Sequence, residues 1–168
     1  MYDTDKPKGF DTTTPPRTTL QMSTRSRIGI MNPDGSIDSV YHHYDGYPQW
    51  LGVKLKKNYT DSASIRQALI DQGDLSCIES DTDWNRKELD EPIVLSYKMR
   101  GEDCPAAHHA AFLDFLYYDT IQTEFSYLWN PEIKIWTCWR HSWDSDLNKP
   151  LKAEIVFIPD AHPKELAQ

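Results

Sequence analysis

The chain has 168 residues, 12% of them aromatic, and a net charge of −8, which is length enough for one domain with a core of its own. Residues 61–120 hold thirteen Asp and Glu against five Lys and Arg, a surplus equal to the whole net charge. Acidity so concentrated excludes a duplex-DNA binder, which needs a basic face to displace phosphate counterions.

No run approaches the ~20 apolar residues of a membrane span, and residues 1–20 lack the apolar stretch of a secretory signal. Cys77, Cys104 and Cys138 are odd in number and widely spaced. That pattern suits free thiols in the cytoplasm better than a disulfide scaffold.

Residues 1–21, rich in Thr, Pro and charge, read as a flexible leader that cannot offset its ordering entropy by burial. Residues 22–160 are expected to form one domain, with 161–168 as a tail. That domain opens with a hairpin. Ile28 and Ile30 alternate, Pro33-Asp34-Gly35 supplies the turn, and residues 37–44 return as the second strand. Residues 49–59 predict a short helix with Trp50 and Val53 inward and Lys54, Lys56 and Lys57 toward water. The strongest helix pattern is 62–72, capped by Asp61 or Ser62 and closed by Gly73. Residues 74–91 read as an acidic loop, 92–99 as a strand and 106–119 as a helix begun by Pro105. Residues 123–129 and 133–139 alternate about Asn130-Pro131-Glu132 as a second hairpin. A loop at 141–151 then leads to a last strand at 152–158. Strands in pairs with helices between them predict an α+β domain. Its expected form is an antiparallel sheet of five or six strands with two or three helices on one face.

Several motifs together resemble a family of small uncharacterised proteins carried by phages, prophages and plasmids. Members begin with a Met-Ser/Ala-Thr-Arg-Ser-like start, which falls here at Met22, and carry a Tyr-Cys-His-Trp-Asp-Gly-Tyr-Pro-like segment. In this chain that segment is Tyr41-His42-His43-Tyr44-Asp45-Gly46-Tyr47-Pro48, with His42 for the Cys and Tyr44 for the Trp. Weaker matches continue through Gly73-Asp74-Leu75-Ser76, Arg100-Gly101-Glu102-Asp103 and Glu124 to Trp129, so the resemblance spans about 22–139. It implies an origin on a mobile element and an accessory role in the host cytoplasm. It implies no activity.

Candidate chemistry gathers where the first hairpin ends. His43 and Asp45 sit two apart, so a strand would point both to one face as a general acid–base pair. Turn formation alone also accounts for Asp-Gly-Tyr-Pro. His42-His43 and His108-His109, with Asp103 or Cys104, lack the spacing of a metal centre, and no cofactor motif is present. Arg25, Arg27, Arg100 and Arg140 near strand ends, interleaved with Tyr41, Tyr47, Tyr127 and Trp136, can frame a nucleotide-like ligand by stacking and bidentate phosphate contact. The same Arg residues also serve to neutralise carboxylates, and the aromatics to fill a core. The candidate binding residues are Arg25, His43, Asp45, Tyr47, Arg100, Asp103 and Tyr127. The favoured function is non-enzymatic, a phage-encoded accessory protein that inhibits a host protein or defence pathway by binding. The alternatives are a sponge for nucleotide second messengers and a small hydrolase built on His43 and Asp45, with self-association left open.

Overall fold

The computed structural model describes residues 23–83, 85–118, 123–147 and 149–162. The leader and all but the first two residues of the tail fall outside them. The first hairpin joins β1 (Ser26–Met31) to β2 (Ile37–His42). Its turn works as the residue types require: Asp34 Oδ1 accepts from the Ser36 N–H at 2.9 Å, and Gly35 takes φ 85.

Pro48–Gly52 forms a π-helical turn that runs straight into α1 (Val53–Asn58), and α2 (Ser62–Ala68) follows, capped by Asp61 Oδ1 accepting from the Ser64 N–H at 2.8 Å. The chain then returns as β3 (Leu75–Glu79) and β4 (Ile93–Ser96). After β5 (Ala107–His109) and α3 (Phe112–Leu116) come β6 (Phe125–Asn130), β7 (Ile135–Asp144) and β8 (Lys149–Val156).

The α+β class stands, but the sheet is larger than expected and mixed. Among the described residues eight strands form one sheet in the order β4-β3-β2-β1-β6-β7-β8, with β5 also on β2. β1 runs parallel to β6 and β2 parallel to β3, while the other pairs are antiparallel. The parallel return of β3 follows from α1 and α2, which cross over the sheet between it and β2. Two strands go beyond the expected number, and one expected strand is longer than foreseen. Residues 75–79, expected in the acidic loop, form β3, because Leu75 and Ile78 are buried between polar neighbours. Residues 107–109, expected in a helix, pair with Ile37–Ser39 as β5, and His109 Nε2 lies 2.7 Å from Ser39 Oγ. Tertiary pairing there overrides the helical leaning of the Ala-rich stretch. β7 also runs on to Asp144, into the expected loop, because Trp143 Nε1 reaches the Thr123 carbonyl at 2.9 Å.

Helices cover both faces rather than one. The Pro48–Gly52 turn, α1, α2 and the C-cap of α2 bury Leu51, Leu55, Ile65 and Leu69 against Ile28, Ile30, Val40, Tyr127 and Trp129. On the other face α3 packs Phe115 and Leu116 onto Ile37 and Leu128. Gly29 makes this approach possible, since a Cβ there would meet the Phe115 ring at 2.8 Å. Lys54, expected toward water, is buried and ion-paired with Asp83 at 2.8 Å.

Candidate functional site

In an antiparallel hairpin the first residue of one strand adjoins the last of the other. Ser26 therefore lies opposite His42, and Arg27 opposite Tyr41. Alternation sends Ile28 and Val40 into the main core and turns Arg27 and Tyr41 to the α3 face. Arg25 and His43 continue the two strands at this edge. The segments flanking β3 and β4 arrive at the same place. The Tyr41 N–H donates to Asp74 Oδ1 at 2.8 Å, the His43 N–H to the Leu75 carbonyl at 3.1 Å, and the Tyr97 N–H to the Asp74 carbonyl at 3.1 Å. This edge thus gathers Arg25, Arg27 and Arg100 with Tyr41, His43, Tyr44 and Tyr97.

The rings form a chain. Tyr41 and His43 meet edge-on at 5.8 Å between centroids, and His43 and Tyr44 at 4.4 Å. The Arg100 guanidinium lies over Tyr97 at 4.5 Å, a cation–π arrangement. Burial holds the His43 ring below the usual histidine range, with the Arg25 and Arg100 charges adding to it. Burial also pushes the Tyr41 phenol up to about 12. The 2.6 Å contact between Tyr41 Oη and His43 Nδ1 thus joins a protonated phenol to an imidazole whose lowered pKa favours the neutral ring.

The cations here are lightly claimed. Arg100 pairs with Glu102 at 3.4 Å, but both side chains are more than half exposed, so the pair is worth little. Arg25 is exposed, and Glu124 feels its charge. Arg27 is buried beneath them. Its Nη1 donates to Ser39 Oγ at 2.9 Å, its guanidinium covers Tyr118 at 4.5 Å, and its Nε has no partner. Burial lowers the Arg27 pKa, an effect opposed by the charge of Asp74, whose own carboxyl burial raises.

The other residues proposed from sequence lie elsewhere. Asp45 takes φ 55, which breaks the alternation that was to bring it beside His43, and no hydrogen bond joins the two. It instead lines a cavity of about 300 Å³ with Tyr44, Trp50, Lys54, Cys77 and Asp83. Tyr47 is tied to the residues of that cavity, with its ring centroid 6.3 Å from that of Trp50 and its phenol in the field of Asp45 and Asp83. Tyr127 is fully buried and donates to the Gly46 carbonyl at 2.7 Å, so it is core. Asp103 is exposed on the loop before Cys104, where its charge helps raise that thiol's pKa.

Sequence reasoning did not assemble the polar row beneath the site. Ser39 and His109 lie 2.7 Å apart, as do Ser126 and His141, on the face that holds Arg27. Burial lowers both imidazoles to about 4, so they stay neutral and serve the hydroxyls beside them. The available signal was polar residues at every second position opposite Ile28, Val40 and Tyr127. Among the described residues no three His, Cys, Asp or Glu converge as a metal site, and no helix is long and apolar enough to cross a membrane. Compared with known proteins, the chain matches no family model, no curated protein and no solved structure.

Proposed function

We propose that this chain is a non-enzymatic binding protein whose hairpin edge takes a small phosphate-bearing ligand of nucleotide type, in the manner of a mobile-element accessory protein that sequesters a messenger. One observation carries the reading: two exposed guanidiniums, Arg25 and Arg100, act on a neutral His43 ring set among Tyr41, Tyr44 and Tyr97. Guanidinium forks match phosphate oxygens, and aromatic rings offer stacking to a base. Arg27 contributes positive charge from below.

Thermal-shift and native mass-spectrometric titration with cyclic dinucleotides and nucleoside diphosphates tests this, with inorganic phosphate as the control. Stabilisation by a nucleotide that disappears in both Arg25→Ala and Arg100→Ala supports it. The absence of any shift at millimolar concentrations of every nucleotide overturns it.

A second reading, inhibition of a basic host protein, draws support from the charge distribution. Glu88, Asp90, Glu91, Glu102 and Asp103 are all exposed. It requires that a partner captured by the native chain be lost when Glu88, Asp90 and Glu91 are neutralised together. Retention by the neutralised chain discards it.

A further inference from the structure

The sheet ends on one side at β4, only four residues long, and on the other at β8, which is eight. Among the described residues no strand pairs with the outer side of β8, and an edge of that length presents a row of backbone donors and acceptors to a further strand. β8 also carries Ile155 at 72% exposure, with Phe157 just beyond it at 78%. Its sequence blunts the edge at one end, where Pro150 lacks an N–H and the register with β7 shifts between Ser142 and Trp143. The residues that follow alternate regularly. Lys152 lies opposite Ser142, Ala153 opposite His141, Glu154 opposite Arg140 and Ile155 opposite Trp139. Lys152 and Glu154 therefore share one face, where they meet at 2.5 Å and Glu154 also meets Arg140 at 3.3 Å.

We propose that a second copy of this chain pairs with β8 antiparallel about a two-fold axis at Ala153, continuing the sheet across a homodimer. Directly opposed residues in a ladder point to the same face, so the two-fold must fall on a residue rather than between two. Few choices remain. An axis at residue 152 sets Lys152 against its own copy, and an axis at 154 does the same to Glu154. Both place like charges opposite each other, which destabilises a pair. An axis at 155 leaves Lys152 and Glu154 without charged partners. Only Ala153 at the centre sets Lys152 opposite Glu154 of the second copy, twice by symmetry, with a small residue on the axis facing its own copy. Ile155 then lies opposite position 151 of the second copy, and Pro150 opposite Val156, near the end of the ladder where a missing donor costs least. Charges that discourage a generic partner strand thus select this one register.

Sedimentation velocity on the full chain across a concentration series tests the proposal, with Lys152→Glu, Glu154→Lys and the double reversal as variants. Lys152 is 66% exposed and Glu154 41%, so each fold should persist, and a thermal melt of each variant checks this. The expected result is a concentration-dependent dimer. Each single reversal weakens it at least tenfold, about 1.4 kcal/mol, and the double reversal restores it to within about threefold of the native chain. A monomer at every concentration, a dimer indifferent to the single reversals, or a double reversal no tighter than the singles overturns it. Because β8 lies far along the sheet from Arg25 and His43, these outcomes are independent of whether a nucleotide binds.

Discussion

Tyr41 and His43, two residues apart on one face of the first hairpin, are joined by a 2.6 Å contact from Oη to Nδ1. The contact turns Nδ1 toward the phenol, and the charges of Arg25 and Arg100 both act on the ring. Removing either arginine relieves part of the pressure against protonation. Arg25→Ala and Arg100→Ala should each raise the His43 pKa toward its ordinary value. A remainder should persist, because burial is the largest cause. Proton NMR of the imidazole during a pH titration reads this directly. A His43 pKa unmoved in both variants means that the residues do not share a site.

Three buried histidines predict an acid-labile fold. Burial lowers His42 to about 3 and His109 and His141 to about 4, from a reference of 6.5. A folded-state value below the unfolded one means that the unfolded chain binds more protons between them. Stability is then full above about pH 6.5 and falls as pH drops toward 4, by roughly 3 kcal/mol per ring. Asp74 and Glu124, raised by burial, work in the opposite sense and soften the decline. Urea unfolding from pH 7.5 to 4.5 should show the loss, and His141→Gln, which keeps a donor for Ser126, should flatten the slope. A pH-independent free energy over that range rejects the assignment.

Local pattern made some parts of this fold legible and left others hidden. The turn at Asp34-Gly35, the α2 cap at Asp61 and the second hairpin were readable because each depends on residues close in sequence. The pairing of Ser26–Ile30 with residues 125–129 was not, since nothing within β1 names a partner about a hundred residues away. β3 hid for another reason: its Leu75 and Ile78 sit among carboxylates that dominate composition. At the site, the tyrosines and arginines were visible as types. Their grouping depended on the topology, which kept Arg25, His43 and Arg100 together and sent Asp45 and Tyr127 elsewhere. Asp45 illustrates the physical limit, because one left-handed residue undoes the period-two rule on which its pairing with His43 rested.

Arg27 should matter more to binding than to stability. A buried guanidinium whose Nε has no partner among the described residues bears a desolvation penalty that its Ser39 bond and its contact with Tyr118 offset in part. Arg27→Met keeps most of the packing volume and removes the charge. Its unfolding free energy should stay within about 1 kcal/mol of the native chain, while nucleotide affinity drops several-fold. Arg27→Ala should be markedly less stable, because it leaves a void. Paired denaturation and titration experiments separate the two effects. A Met variant as destabilised as the Ala variant would show that the charge itself supports the fold.

The Lys54–Asp83 pair is the counterpart on the other face, with both side chains under 5% exposed and 2.8 Å between them. Lys54 also donates to the Ile78 carbonyl and lies over Trp50 at 4.8 Å. Burial lowers its pKa, and Asp83 is the main influence that holds it up. Asp83→Asn strands an ammonium in the interior and should cost about 3–5 kcal/mol at neutral pH. Its loss has a pH signature. With the folded-state pKa of Lys54 pushed further below the unfolded value, the variant should regain stability as pH rises from 7 to 10, because the neutral amine tolerates burial. Replacing both partners, Lys54→Met with Asp83→Leu, removes both charges and should recover most of the loss. Urea unfolding of the three proteins at two pH values decides the matter. A single variant within 1 kcal/mol of the native chain, or one whose deficit does not shrink at high pH, would show that water reaches this ion pair.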